Sequence, residues 1–117
     1  MSEILRGQIW LVNLDPTVGH EIKKTRPCVI IQNDYGNKYS NTTIIAPVSS
    51  QKLEKVYPVE VLLPAQETGL QNQSKLLLDQ IRAIDKQRLI KPLGFVDHET
   101  LLKIDGAIKI SLGLTSF

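Results

Sequence analysis

The sequence predicts a small α+β protein, mainly β: a mostly antiparallel barrel closed by one C-terminal helix. Three observations lead there. Short runs of β-forming residues are cut off by turn signals at Asp15-Pro16, between Asn33 and Asn37, and at Pro64. Near the C-terminus, Leu101, Ile104, Ile108 and Leu112 recur at helical spacing as one apolar stripe. With 117 residues, 42% of them hydrophobic, the chain suits one domain (1–117) around one core and does not read as disordered.

The first strand spans Gly7 to Leu14, with Ile9 and Leu11 on one face and Trp10, Val12 and Leu14 on the other. A polar loop follows, and a second strand runs from Pro27 to about Gln32. Asn33 to Asn37 is turn chemistry, and Asn41 to Ser49 resumes as a third strand. Pro47 removes a ladder donor, which predicts an edge position or a bulge there. After the polar connection Gln51 to Val56, Val59 to Leu63 alternates as a fourth strand, and Thr68 to Asn72 reads as a loop. Ser74 to Ile84 stays open between helix and strand, because neither face of it is clean. Lys91 to Val96 is strand-like, with Pro92 arguing for an edge. Asp97 is a good N-cap for the final helix and Gly113 fits its stop. Gly106 costs about 1 kcal/mol relative to alanine inside that helix, which predicts close packing at that point. Trp10 and Phe95 read as core.

Net charge is only +2, so the chain is no polycation, and binding to nucleic acid must come from local clusters. Two exist: Lys23, Lys24 and Arg26 against Glu21, and Arg82, Lys86, Arg88 and Lys91 against Asp85. Each also fits a solvated face. Cys28 is the single cysteine, so no intramolecular disulfide forms, and its apolar β-branched surroundings make it a core residue rather than a nucleophile. With two distant histidines and one thiol, no zinc-ligand spacing exists and no metal or cofactor is expected. The opening residues Met1 to Gly7 lack a signal-peptide pattern. No apolar run approaches the ~18 residues that span a bilayer, which predicts a cytoplasmic protein without a membrane partner.

The most informative stretch runs from Gly19 to Asn33. It opens as a polar loop carrying His20, Glu21, Lys23, Lys24 and Arg26, then turns directly into the apolar run Cys28 to Ile31. Pro27 biases Arg26 toward an extended backbone, so a guanidinium stands at the mouth of a buried strand beside a basic loop. That arrangement suits gripping a phosphate.

Gly7-Gln8-Ile9-Trp10, Asp15-Pro16, Gly19-His20-Glu21, Arg26-Pro27, Asn33-Asp34, Ala46-Pro47-Val48-Ser49 and Asp79-Gln80-Ile81-Arg82-Ala83-Ile84-Asp85 fall in one order along the chain. That order resembles the MazF/PemK family of toxin endoribonucleases, over nearly the whole length. The resemblance implies an SH3-like barrel of the CcdB/PemK type with helices packed on it, and a strand through Asp79 to Arg82. It further implies a homodimer that cuts single-stranded RNA at short sequences without metal or cofactor, restrained by a MazE-like antitoxin with an acidic, flexible tail.

Metal-free RNA cleavage uses the ribose 2′-OH as an internal nucleophile, so the enzyme must align the attack, stabilise charge on the phosphate oxygens and manage two protons. Arg26 suits the charge task; a guanidinium holds its proton too firmly to be a good simple base, although the resemblance attaches a proton-transfer role to it. Ser49 falls where the family places a catalytic threonine, with Ser50 the neighbouring alternative. Glu21 matches the family's loop glutamate, placed to orient Arg26 or meet a base edge. His20, Lys23 and Lys24 are candidate RNA contacts in the same loop, with no family role attached to His20 and with Ile22 departing from the pattern of some members. Gln80 matches a position linked to RNA contact, and a structural role in the barrel is the competing reading. Two alternatives belong to other classes: the same barrel also serves a toxin that binds DNA gyrase without catalysis, and an inactive RNA-binding barrel would share these residues.

Overall fold

A computed structural model describes residues 3–116, save the side chains of Gln66 and Glu67; Met1 and Ser2, which open the N-terminal pattern above, and Phe117, which ends the predicted domain, lie outside the described residues. Seven strands form one sheet: β1 (Gln8–Asn13), β2 (Thr25–Ile30), β3 (Thr42–Ser49), β4 (Glu60–Leu63), β5 (Ser74–Leu77), β6 (Arg82–Asp85) and β7 (Leu89–Phe95). Three α-helices accompany them: α1 (Asp34–Tyr39), the single turn α2 (Ala65–Thr68) and the C-terminal α3 (His98–Ser111). All pairings are antiparallel, in the order β4-β5-β3-β2-β1-β7, with β6 beside the first half of β3.

The central strands are buried on both faces, which is why their sequences carry apolar residues at consecutive positions rather than clean alternation. One face brings Ile9, Val29, Ala46, Val48 and Leu76 against Ile104 and Ala107 of α3. The other gathers Trp10, Val12, Leu14, Cys28, Ile30, Ile45 and Ile84, covered by Ile4, Leu89 and Ile22 of the β1–β2 loop. Asp97 caps α3 as its sequence predicts, its side chain accepting from Thr100 N, and Gly113 follows the last turn with a left-handed φ of 73°. The helical stripe is buried at Ile104 and fades to an exposed Leu112 at the C-cap.

Several sequence expectations need correction. The sheet does not close into a barrel: β4 and β7 end the main strand order, and β6 pairs only with β3. The end of α2 packs on β7 without strand pairing, where Gly69 meets Gly94; a Cβ on Gly69 would stand 2.3 Å from Leu93 O, and one on Gly94 2.1 Å from Thr68 O. The Asn33 to Asn37 turn is instead α1, since Asn33 caps it through Gly36 N while Asn37 is buried and bonds Gln32 and Thr43. Thr68 belongs to α2 rather than to a loop. The strand implied through Asp79 to Arg82 is broken by a 3₁₀ turn at Leu78–Gln80, where the chain steps from its place beside the end of β3 to its place beside the start. β3 is interior, not an edge; Pro47 sits in the gap where one flank changes partner, from β6 through Ile45 to β5 from Val48, so its missing donor interrupts no pairing there. Phe95 ends the edge strand β7 and is exposed rather than core. Gly106 faces open space, not a close neighbour.

The two kinds of glycine therefore respond oppositely to the same change. Gly94→Ala forces a Cβ into a backbone carbonyl and is expected to lower unfolding free energy by about 1–3 kcal/mol. Gly106→Ala is expected to raise it by about 1 kcal/mol, because it gains helix propensity with nothing to collide with. Urea denaturation of both variants checks the signs.

Candidate active site

Arg26 is the second residue of β2 and pairs with Val12 of β1. Its side chain is fixed by carbonyls: Nε donates to Lys23 O at 2.9 Å, and Nη1 to Val48 O at 3.2 Å. A guanidinium has five N–H donors, so three remain. Among the described residues, the ion pairs are Arg6–Asp105, Lys75–Glu60 and Lys103–Glu99, and Arg26 has no carboxylate partner. It borders a cavity of about 530 Å³ that it shares with Pro27, Val48, Ser50, Asn72 and Lys91. An un-neutralised guanidinium on a rigid strand, with a second cation across the same cavity, makes an anion-gripping site.

Ser49 and Ser50 differ sharply in setting. Ser49 ends β3 opposite Lys75, is only 7% exposed, and accepts a hydrogen bond at Oγ from Gln51 N at 3.1 Å. Ser50 is exposed and lines the cavity with Arg26. The structure thus brings Ser50 and Arg26 into one cavity, while Ser49 stands one residue behind, next to the Val48 carbonyl that holds Arg26.

The β1–β2 loop is exposed at His20, Glu21, Lys23 and Lys24. Glu21 does not reach Arg26; its carboxylate accepts from Val18 N at 2.5 Å and closes a local turn. Lys23 contributes the carbonyl that orients Arg26, and Lys24 takes a left-handed φ of 73° with its N–H on Asp15 Oδ1. Gln80 does not sit on a strand: it ends the 3₁₀ turn, and its Oε1 accepts from Ile22 N at 2.8 Å.

Two residues were missed by the sequence reading. Lys91 had a signal, the basic cluster at 82–91, but its neighbours there serve the scaffold: Arg82 binds Leu14 O, Arg88 binds Asn13 O and Asp15 O, and Lys86 binds Asn37 O. Lys75 carried no signal at all. It is 5% exposed, pairs with Glu60 at 3.0 Å, and donates to the carbonyls of Lys52 and Lys55, fixing the β3–β4 connection that begins at Ser50. No three His, Cys, Asp or Glu side chains gather as metal ligands would, among the described residues.

A small α+β fold carries a cationic cavity at the mouth of its central strands, with chemistry suited to an anion. Comparison with known proteins gives it a family. Residues 5–112 match the model of the PemK-like, MazF-like toxin of type II toxin-antitoxin systems. The chain is 40% identical over 114 residues to the endoribonuclease EndoA of Bacillus subtilis, covering 97% of this chain and 98% of that one. It is 41% identical to the endoribonuclease MazF of Staphylococcus epidermidis over 97% of this chain and 95% of that one. A crystal structure of MazF from Deinococcus radiodurans superposes with a TM-score of 0.83 at 26% identity, covering 97% and 99% of the two chains. A mycobacterial endoribonuclease in complex with its cognate antitoxin shares the fold at a TM-score of 0.80, 23% identical over 97% and 99% of the two chains. The chain belongs to the PemK/MazF toxin family.

Cys28 is buried in the cluster with Trp10, Ile30 and Ile84, and burial pushes its thiol from 9.0 up to about 12 despite the opposing pull of Arg26 and Arg82. The native thiol is therefore expected to resist iodoacetamide at pH 8 and to react on denaturation. Because the folded pKa is the higher one, its stabilising effect is complete below pH 9.0 and is lost as pH rises toward about 12. Wild type should lose stability relative to Cys28→Ala over that window by up to about 1.4 kcal/mol per pH unit, read from denaturant melts at each pH.

Proposed function

We propose that this endoribonuclease toxin cuts single-stranded RNA at a short sequence, without a metal ion, by attack of the 2′-OH on the adjacent phosphorus. The P–O5′ bond breaks, leaving a 2′,3′-cyclic phosphate and a 5′-OH. The observation that carries this reading is Arg26, held by two backbone carbonyls with its remaining donors unspent at an open cavity. The fork holds two phosphate oxygens and stabilises the charge that develops on them, while its carbonyl anchors keep it from reorganising during the reaction.

A hydroxyl from the Ser49–Ser50 pair donates to a phosphate oxygen or relays a proton. Ser50 reaches the cavity directly; Ser49 accepts at Oγ from Gln51 N, which leaves its own proton to give. Lys23, Lys24 and Lys91 follow the RNA backbone, and His20 and Glu21 face the bases from the loop. A homodimer would extend the groove past one cavity. The same cations suit the acidic tail of a MazE-like antitoxin, and family neighbours have been solved with their antitoxins. The cytoplasm, where mRNA is, is the place for this reaction; no helix among the described residues is long and apolar enough to cross a membrane.

Cleavage of a long, defined single-stranded RNA in excess EDTA, with product ends mapped, tests the reading. Wild type is expected to cut at one short sequence and leave 5′-OH ends. Arg26→Ala should lose at least about 10²-fold in rate, as for removal of a transition-state donor. The Ser49→Ala/Ser50→Ala double variant should lose comparably, and the single variants assign the hydroxyl. Cleavage that survives Arg26→Ala, or none by wild type, would overturn the proposal.

A further inference from the structure

We propose that Gln80 is a positioning residue for Arg26, acting through the backbone of the β1–β2 loop instead of touching RNA. The catalytic part of this claim rests on the function proposed above; the mechanical part does not. The contacts form one continuous path. Gln80 Oε1 accepts from Ile22 N at 2.8 Å. Lys23 is the next residue, and its carbonyl accepts from Arg26 Nε at 2.9 Å. The position of the guanidinium thus depends on where the loop backbone lies at Ile22 and Lys23.

The anchor end is firm. Gln80 closes the 3₁₀ turn that starts at Leu78, which is fully buried. Leu78 N donates to Val59 O at 3.0 Å, and Ser111 Oγ of α3 donates to Leu78 O at 2.8 Å. The loop end is seated as well, since Ile22 packs its side chain onto the cluster of Trp10, Leu14 and Ile84. Without Gln80, that apolar contact would still hold the side chain, but the Ile22 N–H would have lost its acceptor and the following carbonyl its fixed direction. An Oε1 already engaged by the chain's own backbone is also poorly placed to complete a bidentate pair with a base, which needs both ends of the amide.

The two roles separate by chemistry. A latch needs only an acceptor at the end of the side chain, so Gln80→Glu preserves it and Gln80→Leu removes it. Direct reading of a base needs the amide donors, so both variants abolish it. Amide hydrogen exchange of Ile22 and the exchange rate of the Arg26 Nε–H resonance, both followed by NMR on the RNA-free protein, report the latch itself. Gln80→Leu is expected to speed both exchanges about tenfold, the worth of one hydrogen bond, and Gln80→Glu to restore them. Gln80→Ala stands in should the leucine variant fail to fold.

In the RNA assay, Gln80→Leu should lower kcat with KM little changed, and Gln80→Glu should recover kcat. The proposal is overturned if Ile22 exchange ignores Gln80→Leu, or if Ile22 responds while Arg26 Nε–H does not. Loss of cleavage in both variants with Ile22 still protected in Gln80→Glu would overturn it too, in favour of RNA contact. Should wild type cleave no RNA, the function proposed above fails, and the exchange measurements still decide the latch.

Discussion

The double duty of β3 is the constraint on which the rest of the structure depends. One flank is held by β2, while the other must serve β6 early and β5 late. The strand therefore changes partner partway along, and Pro47, which has no N–H to offer, occupies the gap. Everything chemical gathers just past that point. Val48 gives its carbonyl to Arg26, Ser49 closes the strand and Ser50 turns out into the cavity. A site at the end of a central strand inherits the rigidity of the sheet while its outward residues stay free to meet a ligand.

The contrast between Arg26 and Lys75 shows how the fold sorts its cations. Lys75 is sunk into the sheet, and its ammonium is surrounded by a carboxylate and two carbonyls, a full set for its three donors. Removing Glu60 would leave a buried charge without compensation, which is a costly state. Arg26 receives carbonyls only, which orient it without neutralising it. The first arrangement spends its charge on holding a loop; the second keeps its charge for something that arrives from solution.

Much of this was legible in the sequence, for identifiable reasons. Strands rich in β-branched residues, the Asp97 cap and the Arg26-Pro27 join are local signals, and the structure keeps them. What local chemistry hides is tertiary partnership. Turn-forming residues at Asn33 to Asn37 make a helix because Asn37 finds buried partners in Gln32 and Thr43. Gly106 reads the same as a glycine that must pack closely, and only the three-dimensional neighbourhood tells it from Gly94. At the site, the order of motifs led to Arg26 and the Ser49–Ser50 pair, yet which serine faces the cavity depends on the pleat at the strand's end. Lys91 was visible as charge but not as a member of this cavity, because it comes from the far end of the sheet order.

A sheet that stops short of closure leaves edges at which a foreign strand can add, a hazard for any protein made near partners of its own kind. The two ends of the main strand order are poor bait. β4 offers only four residues, and α3 packs beside it. β7 is longer, but Pro92 breaks its row of donors, Lys91 puts charge on it, and the Gly69–Gly94 contact presses the chain after α2 against it. Strand addition at β4 and β7 is thereby disfavoured.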